Sequence, residues 1–132
     1  MNELVLVVDD EPKIVKLAQD YLERGGFGVV TAKDGTMALA VARHEHPDLI
    51  VLDLNLPGLD GYQVLQRMKE DDRTKRIPVI ILTTTDDTRE VIKCYNLGCN
   101  VYITKPVDYE KFSEAIRKIG LFLSVVTIPN GE

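Results

Sequence analysis

Apolar residues follow two rhythms along the 132 residues of this chain. Short unbroken runs recur at Leu4-Val5-Leu6-Val7-Val8, Val29-Val30, Leu49-Ile50-Val51-Leu52, Val79-Ile80-Ile81-Leu82 and Val101-Tyr102-Ile103. Runs that are apolar throughout, rather than alternating, predict strands of a parallel sheet covered on both faces. Between them, apolar residues fall at helical spacing. Ile14, Leu17, Ala18, Tyr21 and Leu22 form one stripe, and Ala38, Val41 and Ala42 a second. Val64, Leu65 and Met68 form a third, Val91, Cys94 and Tyr95 a fourth, and Phe112, Ala115, Ile116 and Ile119 a fifth. Gly25 and Gly98 stand where helix C-caps belong, and Asp34 and Asp108 where N-caps belong. Five strands alternating with five helices predict an α/β domain with a doubly wound, five-stranded parallel sheet. In such sheets ligands bind beyond the carboxyl ends of the strands, at the topological switch point.

Composition narrows the function classes. A chain of this length with 45% hydrophobic residues buries one sizeable core and no second one. No apolar stretch reaches the length of a membrane span, and the N-terminus lacks a charged-then-apolar signal pattern, so a cytoplasmic protein is expected. A net charge of −5 argues against direct nucleic-acid binding, which needs a basic face.

The chemistry lies at the ends of the strands. Asp9 and Asp10 close the first apolar run, and Asp53 closes the third. Carboxylates gathered on one sheet edge repel, so such a pocket either binds a divalent cation or holds one displaced proton, and the cation is the preferred reading. The later runs lead into Thr83 and into Lys105-Pro106, which should reach the same edge. Asp53 can then attack phosphorus as a nucleophile and form an acyl phosphate. Mg²⁺ held by Asp10 and Asp53 would neutralise charge on the phosphoryl group. Thr83 and Lys105 would take its remaining oxygens. Singly, each of these residues reads as a strand-end cap, a turn-former or a solvated charge. It is the ordered set that carries the site.

That set, Asp9-Asp10, Asp53, Thr83 and Lys105-Pro106, with the loop Asp53-Leu54-Asn55-Leu56-Pro57-Gly58-Leu59-Asp60-Gly61, resembles the receiver domain of two-component response regulators. The resemblance spans about residues 3 to 123 and implies a flavodoxin-like fold with strand order 2-1-3-4-5. It implies a receiver domain over residues 1–123 and a tail over 124–132. Asp53 would accept phosphate from a histidine kinase or phosphotransfer protein. Asp10, Asp53 and the backbone carbonyl of Asn55 would hold Mg²⁺, with Asp9 acting through water. Thr83 and Tyr102 would switch the face formed by the fourth helix, fifth strand and fifth helix. Lys105–Pro106 would be a cis peptide. Such a protein is a signalling phosphoacceptor that assists its own phosphotransfer and dephosphorylation, not an enzyme in the ordinary sense. One departure is Thr84, a position that is usually very small in the family.

A closer resemblance, carried by Lys75-Arg76-Ile77-Pro78-Val79, Leu82-Thr83-Thr84, Cys94-Tyr95 and Phe122-Leu123-Ser124-Val125-Val126-Thr127-Ile128-Pro129, is to short stand-alone regulators paired with bacterial phytochrome kinases. Those lack a DNA-binding output domain. The apolar tail would form a homodimer contact, fold back on its own core, or continue as a linker to a trimmed output domain. Two rivals remain. A haloacid-dehalogenase-type phosphatase needs the acidic pair last in the chain and a second acid where Asn55 stands, so the order of motifs opposes it. A phosphate-independent module of the same fold usually lacks one of the site residues, and none is missing here. Cys94 and Cys99 have neither zinc-ribbon nor redox-pair spacing and read as free thiols. His44 and His46 read as solvated residues at a helix C-terminus, and Asp60-Gly61 as a turn without chemistry.

Overall fold

The computed structural model describes residues 3–83 and 87–104, the side chains of Val101, Ile103 and Thr104 apart. Five strands, β1 (Leu4–Val8), β2 (Gly28–Ala32), β3 (Leu49–Asp53), β4 (Val79–Thr83) and β5 (Val101–Thr104), form one sheet in the order β2-β1-β3-β4-β5. Every pairing is parallel. Four helices connect them: α1 (Pro12–Arg24), α2 (Gly35–Glu45), α3 (Gly61–Glu70) and α4 (Thr88–Asn96). The predicted α/β fold and strand order are those observed. The predicted fifth helix, the Asp108 cap, Thr84, Lys105, Pro106 and the tail lie outside the described residues.

The sheet separates two apolar layers. On one face Val5, Val7, Leu49, Val51, Ile80 and Leu82 pack with Ala18 and Leu22 of α1. On the other, Leu6, Val8, Ile50, Leu52 and Ile81 pack with residues of α2, α3 and α4, including Ala38, Ala42, Leu65, Met68 and Cys94. Burial on both faces is why the inner strands carry no polar alternation. β2, with only one neighbour, is half-buried along most of its length, and its apolar run is correspondingly weaker.

The helix ends refine the sequence reading. Asp34 caps α2 as expected, its side chain accepting from the Met37 backbone N–H. Asp60 and Gly61 are the N-cap and first residue of α3 rather than an isolated turn. The Asp60 carboxylate accepts from the Gln63 N–H, and the Gln63 side chain accepts from the Asp60 N–H, which completes a capping box. Gly25 is the C-cap of α1 as expected, and Gly26 after it takes the left-handed conformation (φ 92°). α2 ends without a glycine: His46 itself takes the left-handed conformation (φ 49°). On α4 only Cys94 of the predicted stripe is buried. Val91 is half-buried, and Tyr95, one residue round the helix from Cys94, stays 48% exposed.

Away from the sheet edge, Asp71 joins α2 to the end of α3. It accepts from the Arg43 Nε (3.1 Å), the Arg73 Nε and Nη2 (3.1 and 2.9 Å) and the Arg73 backbone N–H (2.9 Å). These bonds, led by those from the Arg73 guanidinium, hold its carboxyl well below the usual carboxylate range. A group depressed in the folded state stabilises the fold above its unfolded pKa of about 3.9 and loses that contribution as pH falls further. Asp71→Asn is therefore expected to flatten the fall in stability below pH ~4. Urea unfolding of both proteins across that acid range checks this, and parallel curves would exclude it.

Candidate functional site

Register brings the acids together. Asp9 directly follows β1, and its backbone N–H donates to the carbonyl of Ala32, the last residue of β2, at 3.2 Å, carrying the pairing one residue beyond β1. Asp53 ends β3, opposite Leu82 of β4, so Thr83 lies one position further along the same edge. Asp9, Asp10 and Asp53 each place a carboxylate oxygen within 4.8 Å of the other two. The sequence prediction of one acidic pocket at the carboxyl end of the sheet describes where these residues stand.

Their surroundings differ. Asp9 and Asp53 are each only 1% exposed, whereas Asp10 faces solvent. The buried pair is held by short local bonds: the Glu11 N–H donates to Asp9 Oδ1 at 3.0 Å, and the Asn55 N–H to Asp53 Oδ1 at 3.1 Å. Asn55 is exposed. Thr83 is fully buried at the end of β4. Tyr102 sits on β5 opposite Ile81, half-buried and packed against the core, at the far edge of the sheet from the acids' neighbour β2. Lys105, next in sequence after β5, is outside the described residues.

The loop after Asp53 is fixed by two close approaches. The Gly61 N–H donates to the Leu54 carbonyl at 3.1 Å, returning the chain to the strand end, and Gly58 makes the reversal at φ 71°. A Cβ on Gly61 would lie 2.6 Å from both the Asp53 carbonyl oxygen and Leu54 Cα. A Cβ on Gly35, at the start of α2, would lie 2.3 Å from the Leu59 carbonyl oxygen. These two glycines let the helix starts touch the loop that carries the site. Sequence reasoning took Gly61 only as the end of the loop motif and part of a turn, and passed over Gly35, because a close approach between distant backbone segments leaves no mark in the sequence. Only the contact reveals them.

A surface cleft of about 600 Å³ opens beside the acids, lined by Asp9, Asp10, Lys16, Thr31, Lys33 and Met37 among others. Asp9 and Asp10 form part of its wall, with the two lysines Lys16 and Lys33. Three acids within 4.8 Å and no thiol or imidazole among them make a hard-oxygen donor set. Such a set suits a divalent cation of the Mg²⁺ or Mn²⁺ kind, which takes carboxylates and retained waters.

Comparison with known proteins bears on this geometry. Residues 5–117 match the model of the response regulator receiver domain. The alkaline phosphatase synthesis transcriptional regulatory protein PhoP of Bacillus subtilis is 40% identical over 132 residues, all of this chain and 54% of that protein. The chain spans about half the length of the first curated relatives it matches (54% and 48%). Among solved structures, the phosphorylated cyanobacterial phytochrome response regulator RcpA superposes with a TM-score of 0.85 at 35% identity, covering 93% of this chain and 94% of that one. The Mn²⁺-bound form of response regulator Rcp1 gives 0.82 at 33%, covering 91% and 93%. Likeness to phytochrome response regulators therefore holds in structure as in sequence. Among the described residues, no helix is long and apolar enough to cross a membrane. The chain belongs to the receiver-domain family of response regulators.

Proposed function

We propose that this chain is a phosphoacceptor for a histidine kinase or phosphotransfer protein, with Asp53 as the acceptor. The observation that carries the reading is the acidic trio, whose oxygens lie within 4.8 Å around a buried Asp53 at the end of β3. An Asp53 carboxylate oxygen attacks the phosphorus of a phosphohistidine. The new O–P bond forms as the P–N bond breaks, and the imidazole leaves with the electron pair. The Asn55 N–H on Asp53 Oδ1 orients the carboxylate for this attack. Asp10, Asp53 and the Asn55 carbonyl would hold Mg²⁺, with Asp9 assisting through water. That cation supplies neutralisation of the charge gathered on the phosphoryl oxygens. Thr83 and Lys105 donate hydrogen bonds, from hydroxyl and ammonium, to the phosphoryl group's remaining oxygens.

The output is a population shift. Moving a two-state equilibrium from 1:99 to 99:1 takes about 5.5 kcal/mol. Two or three charge-assisted hydrogen bonds, at roughly 1.5–3 kcal/mol each, supply that. Thr83 moving toward the phosphoryl group makes room for Tyr102, which is already half-buried against the core, to turn inward. The face altered comprises α4, β5 and the expected fifth helix, and it serves protein–protein output. A phytochrome-type kinase partner, a cytoplasmic setting, a receiver over residues 1–123 with a separate tail, and a homodimer contact through that tail belong to the same proposal. Likeness to RcpA, a phytochrome response regulator, supports the kinase type.

The product's chemistry provides the test. Incubation with a small acyl phosphate and Mg²⁺ should add a phosphoryl group that neutral hydroxylamine removes, as it does from a mixed carboxylic–phosphoric anhydride. A chelator should prevent labelling. Label that resists hydroxylamine would place the phosphate on a hydroxyl and overturn the assignment to Asp53.

A further inference from the structure

The end of α4 has a second chemistry that the phosphoacceptor reading does not use. Its last turn closes by two bonds: the Gly98 N–H donates to the Tyr95 carbonyl (3.0 Å), and the Cys99 N–H to the Cys94 carbonyl (3.1 Å). Gly98 is left-handed at φ 104°. This is a complete Schellman cap, a motif that usually brings the third-from-last helical residue into side-chain contact with the second residue beyond the cap. Here those two residues are Cys94 and Cys99. Both are buried (0% and 7% exposed) in the same apolar cluster. Bond lengths along the Cys99–Cys94 bridge cap the Cα–Cα distance at about 7 Å. Bond angles bring it within the span of a disulfide, roughly 4.4–6.8 Å.

We propose that Cys94 and Cys99 form a reversible intrachain disulfide with a small-molecule disulfide as oxidant, a modification site that ties the end of α4 to the approach of β5. Cys99, the residue with the greater exposure, exchanges first. As thiolate, its Sγ bonds to one sulfur of the small disulfide. The S–S bond of that molecule breaks, and its other sulfur leaves with the electron pair and takes up the proton Cys99 released. Cys94 Sγ, as thiolate, then bonds to Cys99 Sγ, and the small thiol leaves with the electron pair of the broken mixed disulfide and takes up the proton Cys94 released. Two protein thiols are oxidised and one small disulfide is reduced to two thiols. The exchange is slow at neutral pH. Burial pushes both thiols up to about 11; nearby Glu90 also raises Cys94 and Cys94 raises Cys99, with Lys93 and Lys69 opposing. Rate should climb about tenfold per pH unit below that range. The position of equilibrium depends instead on how well the fold seats the two sulfurs.

Equilibration in mildly alkaline mixtures of reduced and oxidised glutathione, followed by alkylation and intact mass, reads that position. The expected product is monomeric, lacks two hydrogens and carries no glutathione. Its midpoint should fall at a glutathione ratio at least about tenfold more reducing than that of the same chain in concentrated urea. Cys94→Ser and Cys99→Ser should yield only the mixed disulfide of the remaining thiol. The proposal is overturned if the folded chain keeps both thiols under conditions that oxidise the unfolded one, or accumulates a persistent glutathione adduct on Cys99.

Discussion

Replacing Gly61 with alanine is expected to destabilise the protein by about 3 kcal/mol, the upper end for overpacking, and to slow phosphoryl transfer to Asp53 as well. The added methyl would meet the Asp53 carbonyl oxygen and Leu54 Cα at 2.6 Å, both backbone atoms that cannot rotate away. Helical propensity would favour alanine by up to about 1 kcal/mol, so the contact must outweigh that gain. Relief requires α3 to back away from β3, which breaks the 3.1 Å bond from the Gly61 N–H to the Leu54 carbonyl and shifts the loop carrying Asn55. Equilibrium urea unfolding measures the first effect, and labelling rate per folded molecule the second. A variant as stable as the parent would show that the helix start tolerates a Cβ and that the close approach does not fix the loop.

Millimolar Mg²⁺ is expected to stabilise the protein, by about 2.7 kcal/mol once its concentration reaches a hundred times the dissociation constant. The acids account for both sides of the effect. Two carboxylates about 5 Å apart at an effective dielectric of 20 repel by roughly 3 kcal/mol. Asp10 is exposed, so solvent and salt reduce its share to about 1 kcal/mol. Asp10→Asn should therefore stabilise the metal-free protein modestly while abolishing most of the response to Mg²⁺. Thermal unfolding with chelator and with Mg²⁺ gives all four values. Equal Mg²⁺ responses in parent and variant would remove Asp10 from the cation site. A variant less stable than the metal-free parent would mean that Asp10 is not held against repulsion.

Strand positions were legible because inner parallel strands need apolar side chains on both faces, as in Val5–Val8 and Leu49–Leu52. The pocket was legible for a related reason. A buried strand that ends abruptly in aspartate has its carboxylate at the sheet edge, and parallel pairing places all such ends on one side. Helix ends were less readable. Pro47 signals in the sequence that α2 stops at His46, since a residue before proline disfavours the right-handed helix, but not that His46 takes the left-handed conformation. Asp60 read as a turn because its partner in the capping box, Gln63, also fits an ordinary helix surface. The burial of Asp9 against the exposure of Asp10 was equally hidden. One residue of rotation at a strand end decides it, and both are aspartate.

The most direct test of the central claim is intact mass after incubation with acetyl phosphate and Mg²⁺, with Asp53→Asn alongside. The parent should gain one phosphoryl group, and the variant, though folded, should gain none. A parent that stays unmodified under conditions that label another receiver domain, or a variant labelled as fully as the parent, would contradict the assignment of Asp53 as phosphoacceptor.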